Sequence, residues 1–344
     1  MVHMDTITPR RRPVVVADRN IPLLGELLGE HVDLRLLTPD QITPRAVRDA
    51  DALITRTRTL CNAALLDGSN IHMVATATIG TDHIDFDYCA SHGITAVSAP
   101  GCNAPAVAQY VWASVLRLVA DRAPCDITVG IVGVGNVGRI VEQWGRAMGF
   151  KILLCDPPRA EREQGAHFVA LETIAAQCDV ITFHTPLTVG GRHPSYHIAS
   201  EAFFASLARN PIIVNSARGP VVDTRALIDA ITTGRVSHAI VDCWEGEPDI
   251  DRRLLDLATI ATPHIAGYSL EGKTRASLMV AKAVARHLCV DCSDVVSMPS
   301  PAPLDVTQAD VVNSYDPVVD SLRLKASPET FELQRNKYPL RHEL

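Results

Sequence analysis

The sequence predicts an α/β protein made of two doubly wound parallel-sheet domains, and three observations carry that reading. Short β-branched runs alternate with longer amphipathic stretches along most of the chain. The runs are nearly continuous in apolar residues, so both faces of each strand are covered, as helices cover a parallel sheet. At 344 residues the chain exceeds one ordinary hydrophobic core and suits two.

Taken in order, the first strands are expected at PVVVAD (13–18), DLRLL (33–37), ALITRT (52–57), MVATAT (73–78) and TAVSA (95–99). A helix follows from about Ala104 to Arg122. The second series is ITVGIV (127–132), ILLCD (152–156), DVITFH (179–184), IIVNSA (212–217), HAIVDC (238–243) and TIATP (259–263). Between Glu271 and Leu288, residues Ala276, Leu278, Met279, Ala283 and Val284 recur at helical spacings, which marks a long helix. The proline-rich VSMPSPAPLDV (296–306) is expected to be a linker or extended crossing. The last stretch, FELQRNKYPLRHEL, predicts a short helix that stops before Pro339.

Composition removes several function classes. A formal charge of −7 and a pI near 6.0 argue against nucleic acid or an anionic membrane surface as a standing partner. No run approaches 18 uninterrupted apolar residues, so no membrane span is expected. The lead-in MVHMDTITPRRRP has an arginine cluster with no hydrophobic region of signal-peptide type behind it. Nine scattered cysteines fit a reducing, cytoplasmic setting. The CxxC pair Cys289 and Cys292 reads as two unrelated thiols, and no metal centre is expected.

The most informative stretch is ITVGIVGVGNVG, where a buried strand runs into Gly133, Gly135 and Gly138. Glycines belong there when a strand turns tightly into a helix and the backbone must approach a ligand. Val137, Ile140, Val141, Trp144 and Met148 give the following helix one apolar face. Asp156 closes the next strand, 18 residues past Gly138, where an acid accepts the ribose hydroxyls of an adenosine and repels a 2′-phosphate. The pattern points to NAD over NADP. A turn that binds nothing and a methyltransferase's nucleoside pocket are the alternatives at this stage.

Downstream, three residues fall at or just past strand ends: Arg218 in NSARGPVVD, Glu247 in DCWEGEPD and His264 in TIATPH. Ligands of open α/β sheets sit at those ends. Singly, each reads as a surface ion pair, a solvated acid and a structural histidine. Together, a cation, an acid and a base after a dinucleotide turn suit the oxidation of a carbinol.

The order GxGNVG, DPPR, HTPL, NSARG, WEGEP and TPHIAGYS resembles the D-isomer-specific 2-hydroxyacid dehydrogenases from about Ala52 to Ala285. The resemblance implies a Rossmann NAD domain (106–274) inserted in a flavodoxin-like substrate domain (1–105 and 275–290). An abridged C-terminal dimerisation segment (291–344) completes a homodimer. It assigns catalysis to Arg218, Glu247 and His264, and cofactor contacts to Gly133, Gly135, Asn136, Val137, Gly138, Asp156, Thr185, Ser216, Ala217, Asp242 and Gly267. Thr57, Thr78 and Tyr268 match the family's substrate contacts. The detail is nearest to a branch that oxidises a phosphorylated four-carbon 2-hydroxy acid on the route to pyridoxal phosphate. For such a phosphate, ITRTRT offers Arg56 and Arg58, which alternation along a strand puts on one face. The alternatives are another 2-hydroxy acid, such as glycerate, phosphoglycerate or hydroxypyruvate, and an NAD-sensing scaffold resembling the corepressors that share this fold.

Overall fold

The computed structural model describes residues 11–163 and 167–344; the start of the lead-in, residues 1–10, lies outside them. The chain divides into two compact units. One runs through Cys102 and resumes over Lys273–Ser300, and the other is Asn103–Gly272 together with Pro301–Leu344.

The first unit carries a parallel sheet of five strands: β1 (Val14–Asp18), β2 (Asp33–Leu37), β3 (Ala52–Thr55), β4 (Met73–Thr76) and β5 (Thr95–Val97). Their order, β2-β1-β3-β4-β5, is the flavodoxin-like one. Side chains alternate across the sheet, so each strand feeds two cores. Val15, Ala17, Ile54 and Ala75 pack with Leu24, Leu27 and Leu28 and with Leu278 and Val284 of the returning helix Leu270–Leu288. Val14, Val16, Leu53 and Val74 pack on the opposite face with Val47, Leu65 and Leu66. With both faces covered, the continuous apolar runs of β1, β3 and β4 are required.

One expected element is shorter than its sequence suggested. β3 stops at Thr55 and does not continue through ITRTRT. Thr55 Oγ1 donates to the Arg56 carbonyl at 2.9 Å, and Thr59 N donates to the same oxygen at 3.3 Å, closing a turn. Arg56 and Arg58 therefore occupy a turn and do not share a strand face. Arg56 Nε donates instead to Asp18 Oδ2 at 2.8 Å, and that aspartate side chain is fully buried. Thr57 and Arg58 are exposed.

The second unit carries six parallel strands: β6 (Thr128–Val132), β7 (Lys151–Cys155), β8 (Val180–Phe183), β9 (Ile212–Asn215), β10 (His238–Val241) and β11 (Ile260–Ala261). The order is β11-β10-β9-β8-β6-β7, so the direction of winding reverses between β6 and β8. Such a switch point opens a crevice at the carboxyl ends of the strands. The glycine turn follows β6 at that place and leads into helix Asn136–Ala147, whose buried face holds Gly138, Val141 and Trp144.

Helix Ala104–Leu118 is buried almost all round, with Tyr110 and Trp112 at 0% exposure. A helix apolar on every side must be covered on every side. Its cover includes the C-terminal segment: Val306 and Val311 join its core cluster, and Gln109 Nε2 donates to Ser314 Oγ at 3.0 Å. Three further helices, Gln308–Ser314, Pro317–Ala326 and Phe331–Asn336, complete that segment. Leu324 and Phe331 enter the core beside Val241 and Ala261. Burying a side chain such as Phe331 contributes roughly 1.5–3 kcal/mol, so the segment is fastened to its own chain.

Candidate active site

The glycine turn is shaped by its contacts. Gly133 has φ +90, and a Cβ there would stand 2.8 Å from His184 C and Thr185 N, so no other residue fits. A Cβ on Gly138 would strike the Gly133 carbonyl, so the helix can begin this close to the turn only with glycine. Above Gly135 there is nothing within 4 Å. Asn136 and Val137 open the helix, and the first-turn N–H groups there have no partner inside it.

Asp156 lies just past β7 and faces this turn. Its Oδ2 accepts from Val134 N at 2.8 Å and its Oδ1 from Arg159 N at 3.0 Å. Carboxylate oxygens keep further acceptor capacity after such bonds. The Arg159 guanidinium is committed to the Val134 carbonyl at 2.7 Å and to Glu163 at 2.8 Å, which holds the Glu163 carboxyl down to about 2. Thr185 Oγ1 and Ser216 Oγ, beyond β8 and β9, are buried with no hydrogen-bond partner. A buried hydroxyl seldom stays unpaired, so a bound polar group suits both. Turn, helix terminus, acid and orphaned hydroxyls together fit a dinucleotide.

A specificity prediction follows from Asp156. The enzyme should reduce NAD at least tenfold more efficiently than NADP, compared as kcat/KM, because a 2′-phosphate would meet a carboxylate whose nearest cation is already paired. Asp156→Ala with a nearby basic substitution should narrow the ratio. Equal use of both cofactors by the parent enzyme would refute this role.

Arg218, Glu247 and His264 follow β9, β10 and β11, three neighbouring strands of one sheet. Asn215, the last residue of β9, ties the first two loops together. Its Nδ2 donates to the carbonyls of Arg218 at 3.0 Å and Cys243 at 3.3 Å. Arg218 is half-buried, with Nη1 on the Ala217 carbonyl at 2.8 Å.

Glu247 and His264 form a pair. His264 Nδ1 lies 2.9 Å from Glu247 Oε2 and 3.1 Å from Oε1, while Trp244 N donates to Oε1 at 2.8 Å. Burial pushes the Glu247 carboxyl up. The charge and hydrogen bond of His264, the Trp244 N–H and Arg335 outweigh it and hold the carboxyl below its usual value. His264 itself has φ +55, a left-handed conformation that non-glycine residues seldom adopt.

Asp242 holds that conformation in place. Its Oδ1 accepts from Thr262 Oγ1 at 2.7 Å and Ile265 N at 2.8 Å, and its Oδ2 accepts from Ala266 N at 3.0 Å. The His264 N–H also donates to the Asp242 carbonyl at 2.9 Å. Asp242 is 1% exposed, so it builds the loop from beneath. Gly267 lies against the Asn103 side chain. In the other unit Thr78 Oγ1 shares a 2.7 Å hydrogen bond with Thr76 Oγ1 and donates to the Gly80 carbonyl at 2.9 Å.

The sequence reading missed two arginines. Arg335 of the C-terminal segment places Nη1 3.8 Å from Glu247 Oε2 and donates from Nε to Tyr268 Oη at 3.3 Å. Arg341 donates to the carbonyls of Ile265 and Tyr268, both at 3.1 Å, in the loop after His264. Both belong to FELQRNKYPLRHE, whose resemblance implies dimerisation and carries no signal of a place beside His264.

Among the described residues, Cys243, Glu247 and His264 offer three ligand-type atoms within 4.8 Å of one another. Burial and the charges of Asp242 and Glu247 keep the Cys243 thiol protonated, and the Arg335 guanidinium stands where a cation would be repelled. The group is an acid–base pair beside a thiol.

A dinucleotide turn followed by a strand-end arginine and a carboxylate–histidine pair defines a nicotinamide-dependent dehydrogenase. Residues 112–266 match the family model of the D-isomer specific 2-hydroxyacid dehydrogenase NAD binding domain. The erythronate-4-phosphate dehydrogenase of Bacteroides thetaiotaomicron is 44% identical over 96% of this chain and 97% of its own length. Those of Porphyromonas gingivalis and Pseudomonas entomophila are 42% and 40% identical, over 94% and 96% of this chain and 92% of each relative. Among solved structures, the Aquifex aeolicus D-lactate dehydrogenase complexed with NAD and lactic acid has a TM-score of 0.69 at 25% identity, covering 80% of this chain and 95% of that one. The chain belongs to the D-isomer-specific 2-hydroxyacid dehydrogenase family. It is an NAD-dependent oxidoreductase, and no described helix is long and apolar enough to cross a membrane.

Proposed function

We propose that the protein oxidises 4-phospho-D-erythronate at C2 to 2-oxo-3-hydroxy-4-phosphobutanoate, a step toward pyridoxal phosphate. What carries the reading is near-full-length similarity to erythronate-4-phosphate dehydrogenases combined with the paired Glu247 and His264. NAD, when bound, supplies the hydride acceptor. Asp156 takes the ribose hydroxyls, and the N–H groups of Asn136 and Val137 take the pyrophosphate. Thr185, Ser216, Ala217 and Gly267 line the nicotinamide half.

Arg218 binds the substrate carboxylate through its guanidinium fork and polarises the C2 oxygen. His264 takes the hydroxyl proton at Nε2, because Nδ1 faces Glu247. Glu247 fixes the ring and stabilises the imidazolium that forms. Thr57, Thr78 and Tyr268 are the further substrate contacts. Arg58, exposed in the turn after β3, is the phosphate ligand.

NADH formation measured side by side with 4-phosphoerythronate, 3-phosphoglycerate and glycerate tests the substrate. The first should lead in kcat/KM by tenfold or more, and parity with glycerate would overturn the reading. A phosphate carries close to two charges at neutral pH, and a charge-assisted contact to it contributes roughly 1.5–3 kcal/mol. Arg58→Ala should therefore cost about tenfold or more on the phosphorylated acid and spare glycerate. An unchanged ratio removes Arg58 from the phosphate site.

The homodimer rests on a separate observation. Val319 and Leu322, three residues apart on helix Pro317–Ala326, and Leu333 on the next helix are 46%, 63% and 51% exposed, apolar side chains suited to a second copy of the chain. Leu322→Glu should shift the sedimentation coefficient from dimer to monomer. A monomeric parent protein would end this proposal.

A further inference from the structure

We propose that Arg335 is a positioning residue which tunes the proton affinity of the Glu247–His264 pair, making the C-terminal segment a working part of the active site. The inference rests on the reading of His264 as the base. Arg335 sits on helix Phe331–Asn336, which Phe331, 1% exposed, pins into the core. Its side chain is only 18% exposed. A guanidinium taken that far out of water needs partners, and it has three: Glu247 Oε2 and Glu332 Oε1, each at 3.8 Å from Nη1, and Tyr268 Oη at 3.3 Å from Nε.

The Glu247 carboxylate is thus shared between an imidazole that gains and loses a proton and a cation that never does. A carboxylate beside an imidazole favours the charged ring. A second positive charge on the same carboxylate offsets part of that preference. The other groups around the pair do not replace it. Asp242, bonded to Thr262, Ile265 and Ala266, carries a negative charge near His264 and so adds to the effect of Glu247. The Cys243 thiol is held protonated by burial, and Arg218, in the loop after β9, acts on that thiol. Glu332, on the helix of Arg335 itself, bonds to the guanidinium without touching the pair. The bond to Tyr268 adds a second effect, because it orients the hydroxyl that the proposed mechanism places at the substrate.

The test is a titration that needs no substrate. The imidazole resonance of His264 in the full-length protein, identified by its loss in His264→Gln, is followed by NMR from pH 5 to 9. Arg335→Ala should raise its midpoint by roughly half to one unit, and the acidic limb of kcat/KM should move the same way. Arg335→Lys keeps the charge and should restore the midpoint, while KM should be raised because the Tyr268 hydroxyl has lost its bond to the guanidinium. Should the alanine variant fail to fold by circular dichroism, Arg335→Gln, which keeps the shape without the charge, is read in its place. A neutral variant that folds and titrates like the parent overturns the proposal. An enzyme inactive on 4-phosphoerythronate whose His264 midpoint still moves refutes the substrate assignment and leaves the role of Arg335 standing.

Discussion

Replacing His264 with alanine should lower kcat by roughly 10²–10⁴ while leaving the affinity for NAD unchanged, the pattern expected when a general acid–base is lost. The effect belongs on turnover because the ring lies after β11, away from the glycine turn after β6 that would hold the dinucleotide. Glu247→Gln is the informative companion. It keeps an acceptor for the Trp244 N–H and removes the charge 2.9 Å from His264 Nδ1. Without that charge the imidazolium is less favoured, and Glu332 is left as the carboxylate partner of Arg335. The acidic limb of the pH–rate profile should therefore move to lower pH. The same pairing has a signature in stability. A carboxyl held below its ordinary value contributes stability that is fully present above that value and lost as pH falls through the lowered one. Parent and Glu247→Gln proteins should accordingly differ in melting temperature at neutral pH and converge in acid. An unchanged pH–rate profile would remove Glu247 from proton transfer.

What could be read in the sequence was what short-range physics writes there. The strands were legible because a parallel strand covered on both faces has to be apolar throughout, and Val15, Val16 and Ala17 of β1 are fully buried. The glycine turn was legible because a φ of +90 against His184 admits only glycine. Arg218, Glu247 and His264 stood out by their positions after strands. ITRTRT misled because β-branched alternation continues past the point where the buried Asp18 draws Arg56 aside. The left-handed backbone of His264 carries no glycine to announce it, since the order is imposed from below by Asp242. Arg335 and Arg341 were invisible as site residues because they return from the far end of the chain, and no periodicity records so long a closure.

Arg341 is where the largest loss of stability is expected. Its guanidinium reaches six acceptors: Gln109 Oε1 at 3.1 Å, the carbonyls of Ile265 and Tyr268 at 3.1 Å, that of Ala106 at 3.0 Å, that of Ala266, and the Tyr338 hydroxyl at 3.4 Å. The group also stacks over the Tyr315 ring at 4.3 Å. Its own backbone continues the fastening, as Leu270 N donates to the Arg341 carbonyl at 3.0 Å and Glu343 accepts from Ser269 Oγ at 2.6 Å. One side chain thus joins helix Ala104–Leu118, the loop after His264 and the C-terminal tail. Hydrogen bonds to a charged donor contribute roughly 1.5–3 kcal/mol each and do not add fully within one network. Arg341→Ala should then cost about 3 kcal/mol or more, which for a unit of this size lowers the melting temperature by roughly 6–12 °C. Arg341→Lys should recover little, because a single ammonium cannot reach acceptors spread across a fork. The amides from Ile265 to Tyr268 should exchange with deuterium sooner than those of β9 and β10, and turnover should fall before the protein unfolds, since the released carbonyls belong to the loop that follows His264. A melting temperature within about 2 °C of the parent, with those amides still protected, would mean that Asp242 alone fixes the loop and that the tail is only a cover.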